Sequence, residues 1–364
     1  MTMLESVAKA VQEKDYKTAA KYLKPLLKTE AKNPWVRFYA ARVQEGLGKL
    51  DAAEKLYLKL LPNMTNPKLI SQIRQGIARI EAVYRDQRQE NIESAIATPE
   101  GQEDAILILE AVSPENKKEA AQAFAKIMQI DPYTARLQLP SQGWRFYRTG
   151  KLGELNYYVS TLNDVNIPSF TFALENIRQI QVFNVNYIQN INSQVNVRCT
   201  NAEGQQGTFQ FQWSDVSQNV LGRLPLFESV VTVDARHQLT RKTQKQDDVP
   251  FCDLHLPRQK YILRFCDRNY NFQKGITLTP RNSNPDYETD SKNWHHLLNF
   301  LNHNLPNLPT WSDFNSFADS ILDFRELLGG LESYIDLERR QPSLWDPAFQ
   351  LYSVLVFGRN HPLL

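Results

Sequence analysis

The sequence has few cysteines, no long apolar run and no recognisable secretion signal. Its three cysteines, Cys199, Cys252 and Cys266, are too few for a disulfide-stapled secreted domain. It contains no run of about 18 consecutive apolar residues, the minimum for a membrane-spanning helix. The opening segment MTMLESVAKAVQEKDYK has no apolar core of the kind found in signal peptides. We therefore expect a cytoplasmic protein.

The sequence also lacks an excess of charge of either sign, because 42 Lys and Arg residues balance 40 Asp and Glu residues and leave a formal net charge of +2. Such a balance gives no reason to expect a nucleic-acid partner. The glycine-rich phosphate loop, the nucleophile elbow, the HExxH zinc motif and the kinase motifs are absent as well. We therefore predict that the protein is not an enzyme and has no cofactor. An enzyme with an unrecognised site stays open as an alternative.

A metal site is not predicted either. Cys252 and His255 lie three positions apart, with Cys266 downstream and His237 upstream as further candidate ligands. In a strand, residues three apart point to opposite faces, so these side chains could not bind one ion together.

A chain of 364 residues is long enough for two or three compact units, and its first part repeats. The segments EKDYKTAAKYLKPLL and LGKLDAAEKLYLKLL align with a spacing of 34 residues. The aligned pairs are Tyr16 and Leu50, Ala19 and Ala53, Leu23 and Tyr57, Leu26 and Leu60, and Leu27 and Leu61.

Three later segments extend the repeat. KLISQIRQGIARIEAVYRDQ is a degenerate third copy, and PENKKEAAQAFAKIMQIDP places Ala120 and Phe124 in the positions of Ala53 and Tyr57. RFYRTGKLGELNYYVSTL repeats the glycine-lysine pair of residues 48–49 at residues 150–151. A spacing near 34 residues indicates stacked helical hairpins. A generic antiparallel helical bundle is the alternative.

This pattern resembles the tetratricopeptide repeat. The resemblance implies an α-solenoid over residues 1–162, in which small alanines lie where paired helices approach and Gly48 ends a helix in a left-handed cap. It also implies that the first helix of each hairpin lines a groove that binds a partner protein. The implied groove residues are Trp35, Phe38, Arg42, Gln72, Arg79, Trp144, Tyr147 and Arg148.

Aromatic and arginine side chains are typical of interface anchors. Three arginines in one groove favour an acidic partner segment. For each aromatic residue, packing between helices is the alternative.

After about residue 175 the pattern changes to the alternation that is typical of strands. VNVRCTNAEGQQGTFQFQW predicts a hairpin, and SKNWHHLLNFLNHNL predicts a helix with an apolar stripe. We predict an antiparallel β domain over residues 175–305, closed by a helix at 291–305. This order of elements resembles a pleckstrin-homology barrel.

The barrel resemblance implies contact with phosphates or an acidic partner through a basic cluster. Its residues are Arg236, Arg241, Lys242, Lys245, Arg258 and Lys260. A solvated loop of mixed charge is the alternative, because Asp247 and Asp248 interrupt the cluster.

Residues 311–364 predict a helical C-terminal extension that packs on the rest of the chain. The whole is thus predicted as a multidomain α and α+β protein that acts as a protein–protein adaptor or assembly factor. A peripheral membrane binder working through the β domain is the competing hypothesis. The oligomeric state is left open.

Overall fold

The computed structural model describes residues 2–233, 238–278, 290–339 and 341–361. The chain divides into two compact units, Met1–Ser94 and Ala95–Leu364. This division corrects the predicted boundary at residue 162. It also joins the predicted β domain and C-terminal extension in one unit.

The N-terminal unit is helical. Its helices are α1 (Met3–Gln12), α2 (Tyr16–Thr29), α3 (Pro34–Gly46), α4 (Leu50–Leu60) and α5 (Pro67–Ile96). Polar caps fix where the first three begin: Thr2 and Glu5 form a capping box, the Asp15 carboxylate accepts from Thr18 N, and the Asn33 side chain accepts from Trp35 N. Gly48, with φ +76°, follows α3 in the predicted left-handed conformation.

Small residues lie where these helices meet, as the repeat predicts. Ala19 and Ala53 are fully buried, on α2 and α4. The ring of Tyr57, also fully buried, lies against the backbone of α5 at Gly76, where a Cβ atom would collide with it. A side chain of α4 therefore fills the space to the next helix, which explains why a large aromatic residue follows the alanine four positions later.

The third repeat has a first helix but no returning second helix. α5 runs for 30 residues, and residues 81–96, all within the described part, include no buried side chain. The hairpin predicted for this repeat is therefore wrong. Its sequence lacks the glycine and proline signals that would end the helix near residue 84.

The fourth and fifth predicted repeats are wrong as well. Residues 104–173 form a three-stranded antiparallel sheet in the order β2-β1-β3, with helices on one face. The elements are β1 (Asp104–Glu110), α6 (Lys117–Met128), α7 (Pro132–Gln138), β2 (Trp144–Lys151), α8 (Leu152–Asp164) and β3 (Ser169–Ala173). Ala120 and Phe124 do lie on a helix, but α6 packs on this sheet and not on another hairpin.

A second, seven-stranded sheet follows, in the order β10-β7-β8-β9-β4-β5-β6. Its strands are β4 (Gln181–Ile191), β5 (Val195–Thr200), β6 (Gln206–Phe211), β7 (Gln218–Val233), β8 (Leu239–Leu256), β9 (Tyr261–Cys266) and β10 (Thr310–Trp311). The predicted hairpin is β5–β6. The predicted barrel is wrong, because β10 and β6 are the two open ends of the sheet. Two pairs, β4–β9 and β7–β10, are parallel.

Helices cover both faces of the larger sheet. α9 (Asp290–Asn304) buries Trp294, Leu297 and Leu301 against one face, so the predicted amphipathic helix packs on the β-sheet as expected. On the other face lie α10 (Phe314–Ile321), α11 (Arg325–Gly329) and α12 (Trp345–Asn360).

The C-terminal helix α12 is the centre of the second unit. Every residue from Asp346 to Phe357 is buried, because this helix contacts the larger sheet through Phe349 and the smaller sheet at Gly358, against Phe172. A helix that is apolar all round needs burial on all sides. The predicted extension is therefore an internal layer between two sheets. No helix in the described part of the chain combines the length and the apolar composition of a membrane span.

Candidate functional site

A carboxylate that accepts hydrogen bonds from three residues links α3, α4 and α5 of the N-terminal unit. Glu45 on α3 accepts two hydrogen bonds from Arg42 Nη1, both of 3.0 Å. It also accepts from Arg79 Nε on α5 at 2.7 Å and from the Tyr57 hydroxyl on α4 at 2.8 Å. We call these four residues the Glu45 cluster.

The cluster is electrostatically satisfied. Burial raises the pKa of Glu45, but the hydrogen bonds from Arg79 and Tyr57 and the two guanidinium charges outweigh it, so the net pKa lies below its ordinary value. Burial and the bond to Glu45 raise the pKa of Tyr57. The hydrogen bond to Glu45 raises the pKa of Arg79. Glu45 is therefore ionised, and the two arginines exceed it by one positive charge.

The sequence separation of two residues in the Glu45 cluster matches the repeat length. Glu45 and Arg79 are 34 residues apart, so they occupy equivalent positions in successive repeats. Their direct contact means that α3 and α5 present equivalent faces side by side. Sequence reasoning predicted Arg42 and Arg79 here and missed Glu45. The signal was available, since Glu45 lies one helical turn after Arg42.

The other predicted groove residues of this unit differ in accessibility. Phe38 is 5% exposed and packs against Tyr57, so packing between helices, the alternative, accounts for it. Trp35 is half-buried, with its ring edge-on to Phe38. Gln72 is half-buried, and its Oε1 atom accepts no hydrogen bond from any described residue.

The remaining three predicted groove residues belong to the second unit. Trp144, Tyr147 and Arg148 lie on β2. Trp144 is buried between the sheets, and Tyr147 packs on Phe124 of α6. Arg148 pairs with Glu154 at 2.7 Å. Their assignment to a helical groove is wrong, because a strand sends alternate residues to opposite faces and so separates Trp144 from Tyr147.

The predicted basic cluster does not form one patch. Arg241, Lys242 and Lys245 are exposed on β8, whereas Arg258 and Lys260 lie beyond the other end of that strand. At about 3.3 Å per residue, the strand places Arg241 and Arg258 about 50 Å apart. Lys260 Nζ contacts Gln179, and Lys245 pairs with Asp248 at 2.7 Å. Arg236 lies outside the described residues.

The part of β7–β8 that carries the exposed cations is a two-stranded ribbon. Residues 227–233 of β7 and residues 239–245 of β8 pair with each other and with no other described strand. Phe227, Val231 and Leu239 are 44%, 60% and 76% exposed. Sequence reasoning missed this surface, although a strand with exposed apolar residues is an unusual feature.

The candidate metal ligands point in different directions. Cys252 belongs to the core that faces α9, whereas His255 bonds Ser353 on α12 through Nε2 at 3.0 Å. The opposite orientation predicted for residues three apart on a strand is confirmed. Burial lowers the pKa of His255 to about 3 and raises that of Cys266 to about 12. The described residues contain no group of three His, Cys, Asp or Glu side chains able to hold a metal ion.

Comparison with known proteins addresses the first unit. Residues 10–74 match the family model of the tetratricopeptide repeat. The match covers the last three residues of α1, all of α2, α3 and α4, and the first eight residues of α5. Searches of curated proteins and of solved structures gave no significant match. By its helices, its 34-residue spacing and this match, the protein is tetratricopeptide-like in its N-terminal unit.

Proposed function

We propose that the protein is a non-enzymatic adaptor or assembly factor whose N-terminal unit binds a segment of a partner protein. Tetratricopeptide repeats generally mediate protein–protein interaction. The proposal takes the unit to be a short solenoid, with a binding face formed by α3 and α5.

The observation that carries the proposal is the contact between Glu45 and Arg79. It aligns two first helices of successive repeats, and it orients Arg42 and Arg79 through their bonds to one carboxylate. A guanidinium has five N–H donors, and the bonds to Glu45 use only some of them. Arg42 and Arg79 are 24% and 45% exposed, so donors remain for a partner.

These spare donors support an acidic partner segment. Two oriented guanidinium groups with one surplus positive charge suit a carboxylate, and such bonds are stronger than neutral ones. Trp35 adds a half-exposed aromatic surface on the same helix as Arg42. Aromatic and arginine residues dominate the binding energy of many interfaces.

Two matched variants test the proposal. Arg79 and Arg74 both lie on α5, but five residues rotate the side chain by about 140° around the helix. Arg79→Ala keeps Glu45 bonded to Arg42 and Tyr57, and it should weaken capture of the native partner in a pull-down with quantitative mass spectrometry. Arg74→Ala should leave capture unchanged. Equal capture by the two variants, with unchanged thermal unfolding, would place the binding site elsewhere.

A second candidate function is contact with an anionic membrane surface through the β7–β8 ribbon. Residues opposite each other in the ladder share a face, and the ladder pairs Phe227 with Lys245 and Val231 with Arg241. One face therefore alternates exposed apolar and cationic side chains. Such a face favours the membrane interface, where apolar groups enter the lipid and cations meet the headgroups.

Sedimentation with vesicles of phosphatidylserine and phosphatidylcholine tests this candidate. Binding should fall with salt and be lost in Phe227→Ser and in Arg241→Ser. Arg258→Ser, beyond the far end of β8, is the matched control. If the unmodified protein does not bind these vesicles, this candidate function is ruled out.

A further inference from the structure

A polar cavity lies beside two irregularities in β4. Register shifts interrupt the pairing of β4 with β5 at two places, and the residues without a partner there are Asn186 and Gln189. A bulge turns a side chain away from the regular pleat, and bulges are frequent next to binding sites. Both unpaired residues line the cavity.

The segment after β9 forms the opposite wall. Asn271 N bonds Asn186 O at 2.7 Å, and Ile276 N bonds Ile188 O at 2.9 Å. Between them, Gly275 has φ +77° and lies so close to the Ile188 carbonyl that a Cβ atom would overlap it. Only glycine permits this approach, and it places the neighbouring Lys274 in the wall of the cavity.

The cavity has a volume of about 390 Å³ and is rich in hydrogen-bond donors. Its wall includes two cations and five side-chain amides, from Arg198, Lys274, Asn186, Gln189, Gln206, Asn269 and Asn271. None of the described residues that line it is acidic. The volume is at the lower end of the range for small-molecule sites.

The cations of this cavity, Arg198 and Lys274, form no ion pair with any residue that the structure describes. The Asn186 side-chain oxygen Oδ1 accepts from the Thr200 hydroxyl at 2.9 Å, which orients the side-chain amide so that its nitrogen is the remaining donor. Two such cations in a concave surface concentrate positive potential and attract anions.

We propose that this cavity binds the phosphate group of a small molecule. A tetrahedral oxyanion accepts from several donors at once, and arginine is well suited to phosphate because its N–H groups form a planar fork. Asn186 and Gln189 would donate from the strand side, and Lys274 from the opposite wall. This site is independent of the partner-binding face proposed for the N-terminal unit.

Calorimetric titration of the full chain with inorganic phosphate and with glycerol 3-phosphate tests the proposal. Saturable binding is expected, and Arg198→Gln and Lys274→Gln should each weaken it at least about tenfold, since a charge-assisted bond contributes that much. Lys118→Gln, which removes an exposed cation on α6, is the control. Arg198→Lys should retain part of the affinity, which separates loss of the ligand contact from misfolding.

A second arm distinguishes a soluble ligand from a lipid headgroup. If the protein sediments with phosphatidic acid vesicles, and Arg198→Gln abolishes this binding while Lys118→Gln preserves it, the ligand is a headgroup. Binding of glycerol 3-phosphate without such sedimentation identifies a soluble ester. The unmodified protein binding neither probe would overturn the proposal. Equal weakening by Arg198→Gln and Lys118→Gln would also overturn it, because that result indicates general charge attraction.

Discussion

The Glu45 cluster permits a stability prediction that can be worked out bond by bond. Glu45→Gln keeps the shape of the side chain but removes its charge. The bond from the buried Tyr57 hydroxyl then changes from a charge-assisted to a neutral one, at a cost of about 1 kcal/mol. The partly exposed pairs with Arg42 and Arg79 contribute about 0.2–1 kcal/mol each. The two guanidinium groups also lose the charge that separates them, so the total cost is about 2–3 kcal/mol.

Hydrogen exchange of the full chain, read by mass spectrometry on peptides, measures this effect. In Glu45→Gln, the opening free energy of amides in α3, α4 and α5 should fall by about 2–3 kcal/mol, while peptides of β7–β9 keep theirs. Tyr57→Phe should cost about 1 kcal/mol, and less in the Glu45→Gln background, because the two residues share one bond. A change below about 0.5 kcal/mol in Glu45→Gln, or an equal change in both units, would refute the reasoning.

Three further predictions concern the second unit. Because burial holds the pKa of His255 at about 3, the unfolded chain, with a value near 6.5, binds one more proton between these pH values. The free energy of unfolding should therefore fall by up to about 1.4 kcal/mol per pH unit as the pH drops through that window. When it is measured by urea unfolding across this pH range, His255→Phe should show a weaker dependence of this free energy on pH; an unchanged dependence contradicts the prediction. The ion pair of Arg264 with Asp253 has no exposed surface, so Arg264→Leu should lower the free energy of unfolding in denaturant by about 3–5 kcal/mol. Adding Asp253→Leu should restore much of this loss, and a double variant less stable than the single one would contradict the prediction. Since a Cβ atom at Gly222 would overlap the Phe349 ring, Gly222→Ala should lower the melting temperature, and adding Phe349→Leu should partly restore it. A melting temperature of Gly222→Ala equal to that of the unmodified protein argues against this contact.

The sequence predicts the first two hairpins well because their packing depends on local, periodic features. Ala19 and Ala53 must be small where helices meet, and Tyr57 must be large to reach α5. These requirements recur every 34 residues, so one sequence is enough to reveal them. The hairpin β5–β6 and the amphipathic helix α9 are predictable for the same reason, since turn residues and apolar periodicity are local signals.

The same reasoning fails over residues 104–173 because the signal is ambiguous there. Ala120 and Phe124 suit any helix that packs closely on an apolar surface, and here the surface is a sheet. A short apolar run such as residues 105–109 is compatible with a strand or with part of a buried helix. Trp144 and Tyr147, three apart, suggested one face of a helix, whereas they lie on opposite faces of β2.

The candidate sites depend on contacts between distant residues, which a single sequence does not contain. Arg42 and Arg79 could be named from the repeat, but their common partner Glu45 requires the helices to be placed. The predicted basic residues look like one cluster in the sequence, but the length of β8 separates those near its start from Arg258 and Lys260 beyond its end. The cavity beside β4 joins residues from β4, β5, β6 and a later loop.

Photo-crosslinking from α5 tests the proposed binding face most directly. Val83 and Glu81 are both exposed on this helix, two residues apart and so about 160° apart around its axis. Val83 lies one turn beyond Arg79, on the same side. A benzoylphenylalanine at position 83 should crosslink the native partner in a lysate, and the same group at position 81 should not. A crosslink from position 81 alone, or from neither position while the partner is still captured, would contradict the account.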